Sequence, residues 1–262
     1  LFVAGCDSLD LSPRDELASD QVWQDEGLTT SYLTDIYAGT GFGFGSPTTS
    51  GATDEAVFTH GWGTPPVALS NMTASSRGFW DEASGRDTFR RFDWSQVYSR
   101  IRDLNLFLVN VKESDAFPIE TKETLLGEAY FLRAYYYHNL MRIHGGVPYI
   151  KNIFELSGDT EQYRVPRNTF EETIDNIVAD LDSAAARLGV DARRQGAATQ
   201  GAALALKSRV LLYAASDLYN DSPFGSTDAA EFVGYAGGNQ QDRWQKALDA
   251  AQAVIDLNEY SL

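Results

Sequence analysis

Residues 128–140 read EAYFLRAYYYHNL, the stretch that decides the fold class. Apolar side chains recur through it at spacings of three and four, from Leu125 to Ile143, and this spacing predicts an amphipathic α-helix over residues 119–144. The GGVP sequence at 145–148 is typical of a helix end, because glycine accepts the backbone conformation of a C-terminal cap and proline cannot continue a helix. The sequence therefore predicts one long helix with a defined C-terminal end.

Five other segments have the same apolar spacing and are predicted to be helices. They are residues 19–38, with Ser19 or Asp20 as N-cap, and residues 94–111, 169–188, 197–219 and 242 onward. Asn168 or Thr169 can cap the third of these, with Glu171 or Glu172 reaching back in a capping box. Long helices in antiparallel pairs, with alanine at the crossings, favour a mainly α fold, an irregular tetratricopeptide-like scaffold of helical pairs.

A long segment between the first two helices, at about residues 40–93, lacks helical spacing. Glycine, serine, threonine and proline dominate it, with aromatic residues scattered among them. A connection of this length is uncommon in a compact domain unless it is functional or disordered, and the aromatic residues argue against disorder. We therefore interpret it as a loop-rich insertion that contributes to a ligand-binding face.

The charge balance excludes two kinds of partner. The chain has 21 Lys and Arg residues against 37 Asp and Glu residues, a formal net charge of −16. A protein that binds nucleic acid electrostatically needs a basic surface to neutralise phosphates, so no nucleic-acid partner is expected. Adhesion to an anionic membrane by charge alone is excluded for the same reason. No run of apolar residues is long enough to predict a membrane-spanning helix.

The single cysteine, Cys6, follows the sequence LFVAG. Apolar residues, then Ala-Gly, then Cys are typical of the end of a bacterial lipoprotein signal peptide, with a buried or accidental cysteine as the alternative. Residues 1–5 are then the remainder of the signal, and Cys6 is the lipidated residue. Two or three acyl chains on Cys6 would anchor the protein stably in a membrane. Residues 6–18 form a polar tether, and 19–262 form the helical domain. The apolar face of the last helix has no following partner, so we expect the domain to be truncated at the C-terminus.

Binding a sugar requires flat aromatic faces for its C–H side and amide or charged groups for its hydroxyls. The loop-rich segment supplies six candidates of these kinds: Trp62, Trp80, Phe79, Asn71, Arg77 and Asp81. Trp62 and Trp80 are the strongest, because they lie among glycine and polar residues, although packing of the loop onto the helices remains the alternative. Consecutive tyrosines at 135–137 point in different directions from a helix, so they are interpreted as interhelix packing. Trp94 and Trp244 begin apolar stripes and are expected in the core.

No catalytic or metal site is predicted. His138 and His144 are six residues apart, whereas metal ligands on one helix face need a spacing of three or four. The GFGFGS sequence at 41–46 is rejected as a dinucleotide site, because it follows a helix and has Ser46 where the third glycine belongs. The oxygen-rich stretch at 217–222 could ligate Ca²⁺, but its spacing is not that of an EF-hand, and a capped helix end is the alternative. The prediction is therefore a protein that is not an enzyme and has no cofactor.

Four segments, in order along the chain, resemble the SusD/RagB family of surface lipoproteins in Bacteroidota-type bacteria. They are residues 128–149, 166–181, 201–215 and 244–248; residues 53–55 and 94–105 also resemble the family's N-terminal part. The resemblance implies a SusD-like helical domain, which in family members usually continues beyond the length of this chain.

The resemblance also implies a function in nutrient capture at the outer face of the outer membrane. A family member of this kind is a lipid-anchored lid on a TonB-dependent β-barrel transporter of the SusC kind. It binds glycans, or peptides in the RagB branch, and passes them to the barrel without catalysis. We therefore expect a glycan-binding lipoprotein that delivers oligosaccharides to such a transporter. Peptide capture and a tetratricopeptide-like protein-interaction scaffold remain the alternatives.

Overall fold

The computed structural model describes residues 19–40, 94–154, 160–220 and 229–260. These residues form α-helices, one 3₁₀ turn (Glu161–Tyr163) and connecting segments, and they contain no strand, which confirms the mainly α fold class. The helices are α1 (Ser19–Val22), α2 (Glu26–Ala38), α3 (Trp94–Glu113), α4 (Ile119–His144), α5 (Phe170–Ala185), α6 (Gln200–Ala215), α7 (Asp217–Asn220), α8 (Ala230–Val233) and α9 (Gln240–Ile255). None of the described helices is long and apolar enough to cross a membrane.

The central element is α4, whose observed bounds match the predicted range 119–144. It packs against α2, α3 and α5, so its side chains are buried around most of its circumference. Gly145 ends the helix with φ = 75°, as the GGVP sequence predicts. Tyr136 and Tyr137 are fully buried, which confirms the prediction of interhelix packing for these two, whereas Tyr135 is only partly buried. The prediction that the apolar stripe of α4 is buried is wrong only for its last residue, Ile143, which is 57% exposed.

The prediction of one helix over residues 19–38 is wrong, because the chain breaks between α1 and α2. The side chain of Asp25 accepts a hydrogen bond from the backbone N–H of Leu28 at 2.8 Å and caps α2. Trp23 lies in the break and is buried, and its carbonyl accepts a hydrogen bond from the Ser114 hydroxyl at 2.7 Å. An aspartate is more favourable as an N-cap than in a helix interior, so the helix restarts at Asp25.

The following helices pack in sequence order, α4 on α5, α5 on α6 and α6 on α9. The predicted capping box at the start of α5 is confirmed, with Thr169 accepting from the backbone N–H of Glu172 and the Glu172 carboxylate accepting in return. The predicted helix over 197–219 is instead two helices, because the chain turns at Ser216 between α6 and α7. Thr199 caps the first of them.

The prediction that both tryptophans at helix starts lie in the core is wrong. Trp94 is 42% exposed and Trp244 is 38% exposed. Trp94 begins α3, where its ring lies beside the rings of Tyr98 and His144. Trp244 lies on α9, which packs mainly against α6 and buries little more than Ala247 and Ala250. An apolar residue at the start of a stripe is buried only where a neighbouring helix extends that far.

Candidate ligand-binding region

The predicted site residues lie outside the described residues. This applies to Trp62, Trp80, Phe79, Asn71, Arg77 and Asp81, and also to Cys6. They remain predictions. What the structure does describe is the helical surface from which the segment 41–93 extends.

Both ends of the segment 41–93 are held on the C-terminal part of α4. At one end, the Tyr135 hydroxyl donates to the backbone carbonyl of Thr40 at 3.1 Å. At the other end, the ring of Trp94 meets the edge of the His144 ring with 5.3 Å between centroids. Residues 135 and 144 are about 13 Å apart along a helix axis at 1.5 Å per residue. The two residues that flank the candidate ligand segment therefore both contact the C-terminal part of α4.

A cleft of about 270 Å³ lies beside Thr40, between α2, α4 and the start of α6. Its lining has an aromatic side and a side of small residues: Tyr37, Thr40, Phe131, Tyr135, Gly196, Ala197, Ala198 and Ala202. The rings of Phe131 and Tyr135 are stacked, 6.5 Å between centroids, because residues four apart on a helix share a face. Tyr37 comes from α2, and its hydroxyl accepts from the backbone N–H of Ala198 at 3.0 Å. Aromatic faces over an apolar floor suit the flat C–H side of a sugar ring.

This cleft was not predicted from the sequence. The spacing of Phe131 and Tyr135 was a signal that the two rings share a helix face. Tyr37 and Ala198 are far away in the chain, so no local pattern could place them beside this pair. The cleft is a product of helix packing.

A buried carboxylate holds the small-residue side of the cleft in place. Glu128 on α4 is fully buried and pairs with Arg193 at 3.4 Å and with Arg194 at 3.1 Å. The Arg194 guanidinium lies 4.8 Å from the centre of the Tyr37 ring. Burial, and then the charge of Glu128, raise the pKa of Tyr37 well above its ordinary value. Tyr37 therefore stays neutral in the cleft at any physiological pH.

A second buried pair joins α3, α4 and α5 behind the cleft. Arg133 donates two parallel hydrogen bonds of 2.7 Å to Asp180, and a third of 2.8 Å to Asn105. Tyr149 donates to Asp180 at 2.7 Å, and Asn105 donates to the carbonyl of Ile150 at 2.9 Å. Burial by itself lowers the pKa of Arg133, but Asp180 raises it above its ordinary value. Because the side chains of this network are hydrogen-bonded to one another, the network makes the scaffold rigid and does not offer a reactive group.

In the oxygen-rich stretch that could ligate Ca²⁺, the side chains of Asp217 and Asn220 form hydrogen bonds with other groups of the protein. Asp217 accepts from Gln240 at 2.8 Å, and Asn220 donates to the carbonyls of Ala214 and Ser216, each at 2.8 Å. These contacts are those of a capped helix end; residues 221 and 222 lie outside the described part. Among the described residues, no group of three or more His, Cys, Asp or Glu side chains is placed to hold a metal ion.

Comparison with known proteins gives consistent matches. Residues 15–212 match the family model SusD-like, described as starch-binding and associating with the outer membrane. Two curated SusD-like proteins of Formosa agariphila are similar. One is 24% identical over 172 residues, covering 64% of this chain and 27% of the relative. The other is 33% identical over 98 residues, covering 37% of this chain and 18% of the relative.

Solved structures agree with the family match. A SusD-like protein from Bacteroides fragilis superposes with a TM-score of 0.63 at 26% identity, covering 96% of this chain and 42% of that one. A SusD-like carbohydrate-binding protein from the same species has a TM-score of 0.57 at 21% identity and shows the shared fold. The chain thus spans less than half the length of these relatives. From the family match and the shared helical fold, the chain belongs to the SusD/RagB family.

Proposed function

We propose that the protein is a cell-surface glycan-binding lipoprotein that captures oligosaccharides and delivers them to a TonB-dependent transporter of the SusC kind. The observation that carries this proposal is the match of residues 15–212 to a family described as starch-binding and associating with the outer membrane. Capture is non-covalent, and the protein performs no catalysis. Anchoring is through lipid on Cys6, with the helical domain on the outer face of the outer membrane.

The geometry of the scaffold supports capture. Thr40 and Trp94, which flank the segment 41–93, contact Tyr135 and His144 on the C-terminal part of α4. A rigid scaffold lowers the entropy lost when a ligand binds to it. The aromatic cleft at Thr40 lies on this scaffold and offers a further apolar face to a sugar. In this proposal Trp62 and Trp80 stack on the sugar, while Asn71, Arg77 and Asp81 bind its hydroxyls and Phe79 adds apolar contact.

Calorimetric titration with maltoheptaose and with other oligosaccharides tests glycan capture. Trp62→Ala and Trp80→Ala are each expected to weaken binding by tenfold or more, because an aromatic residue central to an interface typically contributes about 2 kcal/mol. Trp244→Ala is the matched control, since Trp244 lies on α9 away from the cleft and is expected to leave affinity unchanged.

Two results would count against the proposal in different ways. If both tryptophan variants bind as tightly as the unsubstituted chain, the site assignment is wrong but the function stands. If peptides bind and no glycan does, the peptide-capturing alternative replaces the proposed function.

Lipid anchoring has its own test. In the source bacterium, labelled palmitate is expected to be incorporated into the protein and lost in Cys6→Ser, because the thiol is the acylated group. Co-purification of a TonB-dependent barrel with the affinity-tagged protein from solubilised outer membranes tests the transporter partnership. Label retained in Cys6→Ser would refute the anchor, and a tagged protein purified without a barrel would refute the partnership.

A further inference from the structure

Two arginines lie beyond the aromatic cleft, along the furrow between α4 and α6. Tyr135 of α4 and Ala202 of α6 line the cleft, and Arg142 and Arg209 come seven residues later on the same helices. Seven residues make about two helical turns, so each arginine lies on the same face as the cleft residue of its helix, about 10 Å further along. The furrow therefore continues from the cleft towards both arginines.

The two helices run in the same direction along this furrow. Beyond the cleft, later residues of both helices meet again, with 5.8 Å between the ring centroids of His138 and Tyr213. α5 packs closely against both helices, whereas α4 and α6 pack only loosely on each other. Arg142 and Arg209 therefore lie at the same end of the cleft, on opposite walls of the furrow. We call this surface the basic furrow, defined by Tyr135, His138, Arg142, Arg209 and Tyr213.

Neither arginine of the basic furrow is neutralised within the described part of the chain. Both residues are exposed. Arg142 donates to the amide oxygen of Asn139 at 2.7 Å, an uncharged partner that orients the guanidinium without cancelling its charge. Arg209 makes no hydrogen bond or ion pair with any described residue. The furrow therefore presents two positive charges with free N–H donors.

The stretches of α4 and α6 that form the furrow contain no acidic residue. The chain has 37 Asp and Glu residues, yet residues 129–144 and 200–215 contain none. The other two cations of these stretches, Arg133 and Lys207, are each paired with a carboxylate of α5. The positive charge of the furrow is thus not balanced by its own helices.

The titratable groups of the furrow respond to the same balance of charge. Burial, and then the charges of Arg142 and Arg209, lower the pKa of His138 to about 3. Burial raises the pKa of Tyr135, while a hydrogen bond with Asn139 and the same two arginines act to lower it. No carboxylate of the described residues contributes to either shift. His138 is consequently neutral at physiological pH, and the positive charge comes from the arginines alone.

Helix electrostatics accounts for one of these arginines but not for the other. Arg142 lies in the last turn of α4, where a cation interacts favourably with the helix dipole. Arg209 lies within α6, away from its C-terminal turn, and no described contact accounts for its position. Two unpaired cations that face one furrow, in a protein with a net charge of −16, suit an anionic ligand.

We propose that the basic furrow binds the acidic group of a glycan, a carboxylate or a sulfate ester, while a neighbouring sugar ring packs in the aromatic cleft. Guanidinium groups donate charge-assisted hydrogen bonds to oxyanions. Exposed aromatic surface lies next to the arginines, because Tyr135 lines the cleft and Tyr213, which is 40% exposed, follows Arg209 by one turn. Rings beside cations favour an acidic sugar over an acidic peptide. This proposal rests on glycan capture and narrows its ligands to acidic oligosaccharides.

Calorimetric titration of the 262-residue chain with two matched pairs of oligosaccharides tests the proposal. The first pair is hexagalacturonate and its fully methyl-esterified form, and the second is a sulfated galactan hexasaccharide and its desulfated form. At least one acidic member is expected to bind about tenfold more tightly than its uncharged counterpart, and this pair identifies the acidic group. Raising the NaCl concentration from about 50 mM to about 500 mM is expected to reduce the preference, because salt screens exposed charges.

Arg142→Gln and Arg209→Gln locate the acidic group. Each is expected to weaken binding of the preferred acidic oligosaccharide about fivefold and to leave its uncharged counterpart unaffected, because each removes one charge-assisted contact. Arg102→Gln is the matched control, since Arg102 is an exposed arginine on α3, outside the furrow, and its loss changes the net charge equally. Thermal unfolding of each variant checks that the fold is intact.

Three results would overturn the proposal and leave glycan capture standing. They are equal binding within both pairs, an unchanged acidic preference in both arginine variants, and an equal loss of affinity in Arg102→Gln. Binding of hexaglutamate without a preference for either acidic oligosaccharide would identify a peptide as the occupant and overturn the proposal as well. If no oligosaccharide binds, maltoheptaose included, the proposed function fails together with this proposal.

Discussion

Acid is expected to destabilise the protein through His138, a buried histidine on α4. His138 is 3% exposed, and the ring of Tyr213 on α6 lies edge-on to it at 5.8 Å. Its Nδ1 is buried without a hydrogen-bond partner in the described part of the structure. Burial, and then the positive charges of Arg142 and Arg209, lower the pKa of His138 from 6.5 to about 3. A protonated imidazole would be an uncompensated charge between two guanidinium groups.

The sign and size of the effect follow from this lowered pKa. In the unfolded chain His138 takes up a proton near pH 6.5, whereas in the folded protein it does so only near pH 3. Between these values the unfolded state binds one more proton, so the free energy of unfolding falls as the pH falls, by about 1.4 kcal/mol per pH unit. At pH 4.5 the loss due to this residue is about 3 kcal/mol relative to neutral pH.

Urea denaturation at pH 7.5 and pH 4.5 measures this loss. His138→Gln is expected to reduce the difference in unfolding free energy between the two pH values by about 3 kcal/mol, because glutamine does not titrate. His144→Gln is the matched control on the same helix, since His144 is exposed. Other groups also contribute to the pH dependence, so the effect of His138 is obtained by comparing His138→Gln and His144→Gln with the unsubstituted chain. An unchanged difference in His138→Gln would refute the reasoning.

Two further substitutions test the scaffold by thermal and urea denaturation, each with a matched control. Asp180→Asn leaves the buried Arg133 guanidinium without its counter-charge and is expected to lower the free energy of unfolding by about 3–5 kcal/mol. Its control is Asp182→Asn, which removes a carboxylate that is 54% exposed in its ion pair and is expected to lower the free energy of unfolding by under about 1 kcal/mol. Gly146→Ala is expected to cost about 1–3 kcal/mol, because its Cβ would collide with the backbone at the start of α5; Gly237→Ala, which faces open space, is expected to change little. Equal effects within either pair would contradict the structural assignment.

Apolar spacing and capping residues explain why the first and last residues of some helices were predicted correctly. The bounds of α4 follow from its apolar spacing and from the GGVP sequence, and the capping box of α5 follows from Thr169 and Glu172. Each signal involves residues within one or two turns. The break at Asp25 was missed because Ser19 and Asp20 are equally good N-cap residues, and the choice depends on the burial of Trp23 against other helices.

Contacts between distant residues explain what was missed. Charged residues are expected at the surface, yet Glu128, Arg133 and Asp180 are buried, because each finds its partner on another element. The cleft beside Thr40 likewise forms where helices far apart in the chain meet. No pattern within a single helix contains this information. The predicted ligand residues Trp62 and Trp80 lie outside the described residues, so they stay predictions.

The sequence by itself determined the helical class, the position of the central helix and the family, because helix periodicity, capping and ordered motifs are local properties of the chain. Only the tertiary structure decided which side chains are buried, which charges are paired and where open clefts remain. Burial is a property of two packed surfaces, so Trp94 and Trp244 are exposed where their neighbouring helices do not reach, despite their place in apolar stripes.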